Sequence, residues 1–191
     1  MGTRNLTAVM VGGEYRIAQY GQFDGYPSGQ GAIALEFCRD RLATIPGRDD
    51  FMQRLARCRF LTSAELKAVV TPLPATLDRG TAAKVLEYVW TNPDGLETIP
   101  LTNHIDFAGE SLFCEWAYVI DLDRQTFEVF KGFNQEVLAP TERFARSPTK
   151  PAHPGDSGQY HPVKLAREWL LDDLPDEKMF LAALEESEDE E

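Results

Sequence analysis

Residues 18–31 form a glycine-rich run that suits neither a helix nor a regular strand. The run reads Ala18-Gln-Tyr-Gly-Gln-Phe-Asp-Gly-Tyr-Pro-Ser-Gly-Gln-Gly31 and contains four glycines, one proline, three aromatic residues and a single carboxylate, Asp24. Glycine permits backbone angles that other residues avoid, and aromatic and amide side chains often line ligand pockets. The sequence therefore predicts an irregular loop that forms one wall of a binding site.

The residues on either side of this run predict a β-hairpin before it and helices after it. Residues 5–11 and 15–20 have strand character and flank the turn signal Gly12-Gly13. Apolar spacing then predicts a helix over about 30–44, which Pro46-Gly47 would break. Further helices are predicted from Asp49 as N-cap, over 63–70 with Ser63 as N-cap, and over 81–90.

The second half of the chain predicts another hairpin. Residues 113–121 alternate strongly, 123–125 form a turn, and 126–131 return as a partner strand. Residues 147–162 suggest a loop, 163–171 a late strand, and the chain from Pro175 a final helix. This order of strands, helices, strands and helix predicts an α+β fold, with mainly antiparallel sheet packed against helices.

Length and charge limit the function classes. A chain of 191 residues with net charge −12 predicts one domain over 1–184, followed by a disordered acidic tail, 185–191. The acidic balance argues against nucleic-acid binding, and no apolar run is long enough to predict a membrane span. Three cysteines without a C-x-x-C pair favour a reduced, cytoplasmic setting.

Several familiar motifs are matched only superficially. Gly29-Gln-Gly31-Ala-Ile-Ala34 has dinucleotide-binding spacing, but a long loop separates it from the preceding strand. The Asp121-Leu-Asp123 sequence is better explained by a hairpin turn than by a phosphatase nucleophile. The histidines and Asp106 fit no metal-ligand spacing, so neither a metal nor a cofactor is predicted; the residues concerned are His104, Asp106, His153 and His161.

The run and the N-terminus together supply the candidate site residues. Arg4 would neutralise a carboxylate or phosphate of the ligand, or pair with Asp24, and Asp24 would be the general base if chemistry occurs. The helix that follows Gly31 offers free N–H groups to an anion or a polar ligand. The predicted ligand-binding residues are Gln19, Gln22, Phe23, Tyr26, Gly29 and Gly31. The ligand is then a small polar molecule; alternatively, Phe23 and Tyr26 dock a protein partner.

The same residues resemble those of a family of uncharacterised proteins from bacteria, phages and fungi. The resemblance rests on Gly2-Thr-Arg4, the 18–31 run, Glu115-Trp-Ala-Tyr-Val-Ile-Asp-Leu-Asp123 and Leu174-Pro175. Members of that family usually have tryptophan where this chain has Phe23. The resemblance covers most of the chain but implies no particular activity.

The layout of the N-terminal half is also similar to that of N-terminal-nucleophile hydrolases of the bile-salt-hydrolase and penicillin-acylase type. Gly2-Thr3, the Gly12-Gly13 turn, Arg16 and Asp24 occupy comparable positions. That resemblance implies a reduced Ntn-like sandwich, and hydrolysis of an amide or phosphoester bond as the reaction to test first. Gly2 stands where the nucleophilic cysteine belongs, and Thr3 would serve only if cleavage exposed its amine.

Overall fold

A computed structural model describes residues 2–69, 75–149 and 160–189 of the protein. The strands in this part of the chain are β1 (Asn5–Val11), β2 (Glu14–Gly21), β3 (Cys58–Phe60), β4 (Ile99–Leu101), β5 (Trp116–Asp121), β6 (Thr126–Lys131) and β7 (Lys164–Leu170). Five of them form one sheet in the order β2-β1-β5-β6-β7. Strands β3 and β4 form a separate two-stranded sheet.

The large sheet confirms the α+β prediction and both predicted hairpins. β1 pairs antiparallel with β2, β5 with β6, and β6 with β7. The central contact, between β1 and β5, is parallel and joins the two hairpins. The sequence did not predict this parallel pairing. Nor did it predict β3 and β4, because three residues are too few to show an alternating pattern.

The helices are α1 (Ala32–Phe37), α2 (Ile45–Leu55), α3 (Ser63–Ala68), α4 (Val85–Thr91) and α5 (Glu177–Asp189). π-helical turns over Pro27–Gly31 and Cys38–Leu42 extend α1 at both ends. Two predicted helix starts were wrong. Pro46 and Gly47 lie in the first turn of α2, which Thr44 caps through the Gly47 N–H, because proline is well tolerated at the first helical positions. Helix α3 is capped by Thr62 rather than Ser63.

Each face of the large sheet has its own apolar core. On one face, side chains such as Val9, Tyr118 and Phe127 pack against the helices. On the other face, Leu6, Ala8, Val119 and Phe130 pack against irregular segments that include Ala108 and Phe144. Strands β1, β5 and β6 are therefore buried on both sides of the sheet, as expected when each face is covered.

The structure bears on the predicted sandwich and on the predicted acidic tail. Among the described residues there is one large sheet with no second large sheet stacked on it, so the reduced Ntn-like sandwich is not confirmed. Helix α5 extends to Asp189, so the predicted acidic tail, 185–191, begins inside a helix. Most of the predicted 147–162 loop, including His153, lies outside the described residues. No described helix is both long enough and apolar enough to cross a membrane.

Candidate functional site

The 18–31 run continues β2, leaves it at Gly21, and enters the π-helical turn at Pro27. Its middle is held by backbone hydrogen bonds from the Gly25 N–H to the Thr3 carbonyl (3.0 Å) and from the Gln30 N–H to the Asp24 carbonyl (2.9 Å). Asp24 has a φ of 55°, a left-handed conformation that few non-glycine residues adopt. The run is therefore an ordered connection with the irregular backbone that its glycines predict.

The predicted site residues do not converge on a single pocket. Gln19 is buried at the edge strand β2, whereas Phe23 and Tyr26 are 57% and 56% exposed. Arg4 does not pair with Asp24. Its guanidinium lies 4.8 Å from the centre of the Phe113 ring, and the Asp24 carboxylate makes no hydrogen bond or ion pair with the described residues.

The predicted anion site at the start of the helix is already occupied by the protein itself. The N–H groups of Gly29 and Gly31 both donate to the Tyr26 carbonyl, at 2.9 and 3.3 Å. Gly31 also packs so closely on the Tyr118 ring that an added side-chain carbon would lie 2.8 Å from it. These glycines allow close packing, and their N–H groups are not available to a ligand.

Three of the grooves among the described residues border the run. The one at Ser28 and Gly29 has no aromatic residue in its lining, and the other two lie at opposite ends of the run. The first, which we call the edge groove, has a volume of about 500 Å³ and is lined by Gln19, Tyr20, Leu77, Asp78, Arg79, Thr102 and His104. The second, the aromatic groove, has a volume of about 380 Å³ and is lined by Tyr26, Pro27, Ser28, Glu115, Trp116, Lys131, Phe133, Leu181, Leu184 and Glu185. Both volumes fall in the range of small-molecule sites, roughly 300–1,000 Å³.

The edge groove forms because two distant segments attach to β2. The His104 N–H donates to the Ala18 carbonyl (3.0 Å), and the Gln22 N–H donates to the Arg79 carbonyl (3.0 Å). The Gln19 amide adds a 3.1 Å hydrogen bond to the Asp78 carbonyl. An edge strand has unpaired backbone groups, and here they hold the 77–79 and 102–104 segments on either side of a concave surface.

His104 is the titratable side chain best placed for chemistry in the edge groove. Its Nδ1 atom lies 3.0 Å from the Thr102 hydroxyl, and its ring packs 5.9 Å from the ring of Tyr20. Burial lowers the pKa of His104 from its ordinary value of 6.5, so the imidazole is neutral at neutral pH. A neutral imidazole both accepts and donates hydrogen bonds.

Two guanidinium groups lie near the Tyr20 hydroxyl at the same groove. Burial raises the pKa of Tyr20, while the positive charges of Arg4 and Arg79 act in the opposite direction. The hydroxyl donates a 2.7 Å hydrogen bond to the Gln22 side chain. Arg79 is exposed and makes no ion pair with the described residues. The edge groove thus contains the Arg79 guanidinium and several hydrogen-bonding side chains, together with the Asp78 carboxylate, which accepts a hydrogen bond from the Gly80 N–H.

Strands β1 and β2 carry, next to Gln19, a row of buried polar atoms that lack hydrogen-bond partners among the described residues. They are the Gln19 Oε1, the Thr7 hydroxyl and both amide atoms of Asn5. Thr7 is paired with Gln19 across the strands, and Asn5 follows on the same face of β1. Each unsatisfied buried group costs about 1–3 kcal/mol. Of these three residues Gln19 lines the edge groove, so its Oε1 is the atom placed to meet a polar molecule there.

The described cysteines and acids do not form a nucleophilic or metal site. Burial raises the pKa of the Cys58 thiol to about 12, and burial also raises the pKa of Cys38 and Cys114. Within the described ranges, no three metal-ligating side chains come together. Asp123 instead accepts hydrogen bonds from the N–H groups of Gly12 and Gly13, which joins the two hairpin turns.

Sequence analysis missed Arg79, Thr102 and Phe133, and it considered His104 only as a metal ligand. These residues lie far from the 18–31 run in sequence and reach it only through tertiary contacts. The one sequence signal for His104 was its rarity, since the chain has three histidines.

Comparison with known proteins gives no relative for this chain: no family model, curated protein or solved structure matches it.

Proposed function

We propose that this protein binds a small polar molecule with an anionic group in the edge groove. The observation that carries the proposal is the position of Arg79 and His104 opposite the buried Gln19, in a groove of about 500 Å³. Arg79 supplies a guanidinium without an ion-pair partner among the described residues. Such a group suits a carboxylate or phosphate, which it binds with two parallel hydrogen bonds.

The arrangement favours binding over hydrolysis. Asp24, the predicted general base, does not line either groove, and its carboxylate contacts no described polar partner. A general base must come within hydrogen-bonding reach of the reacting proton. The proposed resemblance to the bacterial, phage and fungal family adds no activity, so the ligand's chemistry is inferred from the groove alone.

The test is native mass spectrometry of the protein purified from cells. We expect the wild-type protein to retain a small molecule, and Arg79→Gln to lose it. Arg57→Gln is the matched control, because Arg57 is also exposed and lines neither groove. Loss of the molecule from both arginine variants, or equal retention by all three proteins, would contradict binding at this groove, as would a wild-type protein that carries nothing.

Docking of a protein partner is the second candidate, and the exposure of Phe23 favours it. Its ring is 57% exposed next to Asp24 and lines neither groove. Exposed aromatic side chains are typical anchors of protein interfaces. Phe23→Ala should abolish capture of a partner and leave the retained small molecule unchanged, whereas Arg79→Gln should do the opposite.

A further inference from the structure

The aromatic groove contains three aromatic side chains from three different parts of the chain. Tyr26 precedes the π-helical turn, Trp116 begins β5, and Phe133 follows β6. Trp116 is 7% exposed, while Tyr26 and Phe133 each expose about half of their surface. Helix α5 provides another wall through Leu181. Tyr26 and Phe133 therefore present side-chain surface that the protein's own core does not cover.

The backbone holds Phe133 in a conformation that is unfavourable for an aromatic residue. Its φ is 55°, and its N–H donates a 2.8 Å hydrogen bond to the Ser111 carbonyl. Left-handed conformations of bulky residues cost free energy and tend to persist at functional positions. Phe133 adopts this costly conformation although its ring is half exposed and so gains little from burial. A strained backbone that presents an exposed ring is what we expect of an aromatic residue that contacts a ligand.

The charges around the rings favour a cation. Glu115 and Glu185 both line the groove, together with a single basic side chain, Lys131. Glu115 is held in place because its carboxylate accepts the Arg4 backbone N–H at 3.2 Å. The whole chain also carries a net charge of −12. Aromatic faces attract cations through their negative quadrupole, and this attraction is best attested for quaternary ammonium groups.

We infer that the aromatic groove binds a small quaternary ammonium compound, with its cation against Tyr26, Trp116 and Phe133. The carboxylates of Glu115 and Glu185 balance the ligand's charge. A quaternary ammonium has no N–H donors and is weakly hydrated, so it needs ring faces more than hydrogen-bond acceptors. An anionic ligand would face two carboxylates, and a neutral apolar ligand would desolvate them without compensation. This site is separate from the edge groove and does not depend on it.

The experiment is isothermal titration calorimetry of the full chain with choline chloride at millimolar concentration. The comparison ligand is 3,3-dimethylbutan-1-ol, which has the same shape but no charge. We expect saturable binding of choline and at least about tenfold weaker binding of the neutral alcohol. Vesicles of phosphatidylcholine form a third arm, in which we expect no cosedimentation. Binding to vesicles without binding of free choline would assign the surface to lipid and overturn the inference.

Variants locate the binding in the groove. Phe133→Leu and Tyr26→Leu keep apolar surface but remove the ring, and each should weaken choline binding about tenfold. Phe23→Leu is the control, because Phe23 is equally exposed and lies outside the groove. Glu185→Gln should weaken binding more than Glu177→Gln, which changes the first turn of the same helix. Undetectable choline binding, equal binding of the alcohol, or unchanged binding in both ring variants each overturns the inference.

Discussion

The hydroxyl of Tyr118 donates a 2.7 Å hydrogen bond to the backbone carbonyl of Gly25, across 93 positions of sequence. Tyr118 lies on β5 in the middle of the large sheet and is fully buried. Burial raises its pKa well above the ordinary value of 10.0, so the hydroxyl keeps its proton and stays a donor. This contact joins the centre of the 18–31 run to the middle of the large sheet.

Tyr118→Phe should lower the free energy of unfolding by about 1–3 kcal/mol, because it leaves the buried Gly25 carbonyl without this donor. The measurement is equilibrium denaturation in urea. Tyr26→Phe is the control, since the exposed Tyr26 hydroxyl makes no hydrogen bond with the described residues. If the two variants were equally stable, the hydrogen bond would not anchor the run.

Arg143→Met should be far more destabilising than Arg124→Met. Both arginines bind Glu128, but Arg143 also binds Asp121, and its side chain is 11% exposed against 56% for Arg124. Removing Arg143 leaves the buried Asp121 without a guanidinium partner and leaves Glu128 with Arg124 alone, which costs about 3–5 kcal/mol. Removing the exposed Arg124 should cost at most about 1 kcal/mol. Urea denaturation measures the unfolding free energy of both variants. Equal losses of stability would show that burial does not make Arg143 more important than Arg124.

The same cluster predicts acid sensitivity. Burial alone would raise the pKa of Asp121, but the N–H of Arg124, the Arg143 guanidinium and the N–H of Asp123 together lower it below 3.8. Below that pH the unfolded chain takes up the proton before the folded protein does, so stability falls as pH falls.

Comparison with Asp121→Asn isolates this effect. We expect the wild type to be more stable at neutral pH and the difference in unfolding free energy to shrink as the pH falls below 3.8. The measurement is urea denaturation of both proteins across this pH range. A difference that stayed constant with pH would mean that Asp121 has the same pKa in both states.

Thr62→Ala should loosen helix α3, whereas Ser63→Ala should not. The Thr62 hydroxyl accepts the Glu65 N–H, and the Glu65 carboxylate accepts the Thr62 N–H in return. Loss of a threonine cap costs about 1 kcal/mol, which corresponds to roughly fivefold faster amide exchange. Amide hydrogen exchange at Glu65 and Leu66 measures this loosening of the first turn. Faster exchange in Ser63→Ala but not in Thr62→Ala would show that Ser63 is the N-cap.

The cysteines should resist alkylation in the folded protein. Cys38, Cys58 and Cys114 are buried, and burial raises the pKa of each thiol, so little reactive thiolate is present near neutral pH. We expect mass spectrometry to show no iodoacetamide adduct under native conditions and three adducts in denaturant. Rapid labelling of the folded protein would show that a cysteine is accessible.

Some of the fold could be predicted because its signals are local. The alternation along 116–121 and 126–131, with a short turn between them, predicts a hairpin without reference to distant residues. Helix starts were less reliable, since neighbouring residues such as Thr62 and Ser63 can both cap and only the realised geometry decides between them.

The candidate site could be predicted only in part. The 18–31 run does border the edge groove and the aromatic groove, but the residues opposite it in these grooves come from segments around 77–79, 102–104, 115–116, 131–133 and 181–185. No spacing rule links such distant residues, because their proximity depends on which strands pair and in which register.

The sequence by itself determined the α+β class, the two hairpins and the irregular glycine-rich connection, since each follows from side-chain periodicity or backbone freedom over a few residues. The tertiary structure alone decided the parallel contact between β1 and β5, the attachment of Arg79 and His104 to the edge of β2, and the exposure of Phe133. These depend on long-range pairing, in which the gain from burying both faces of the sheet selects one arrangement among many that the local sequence would allow.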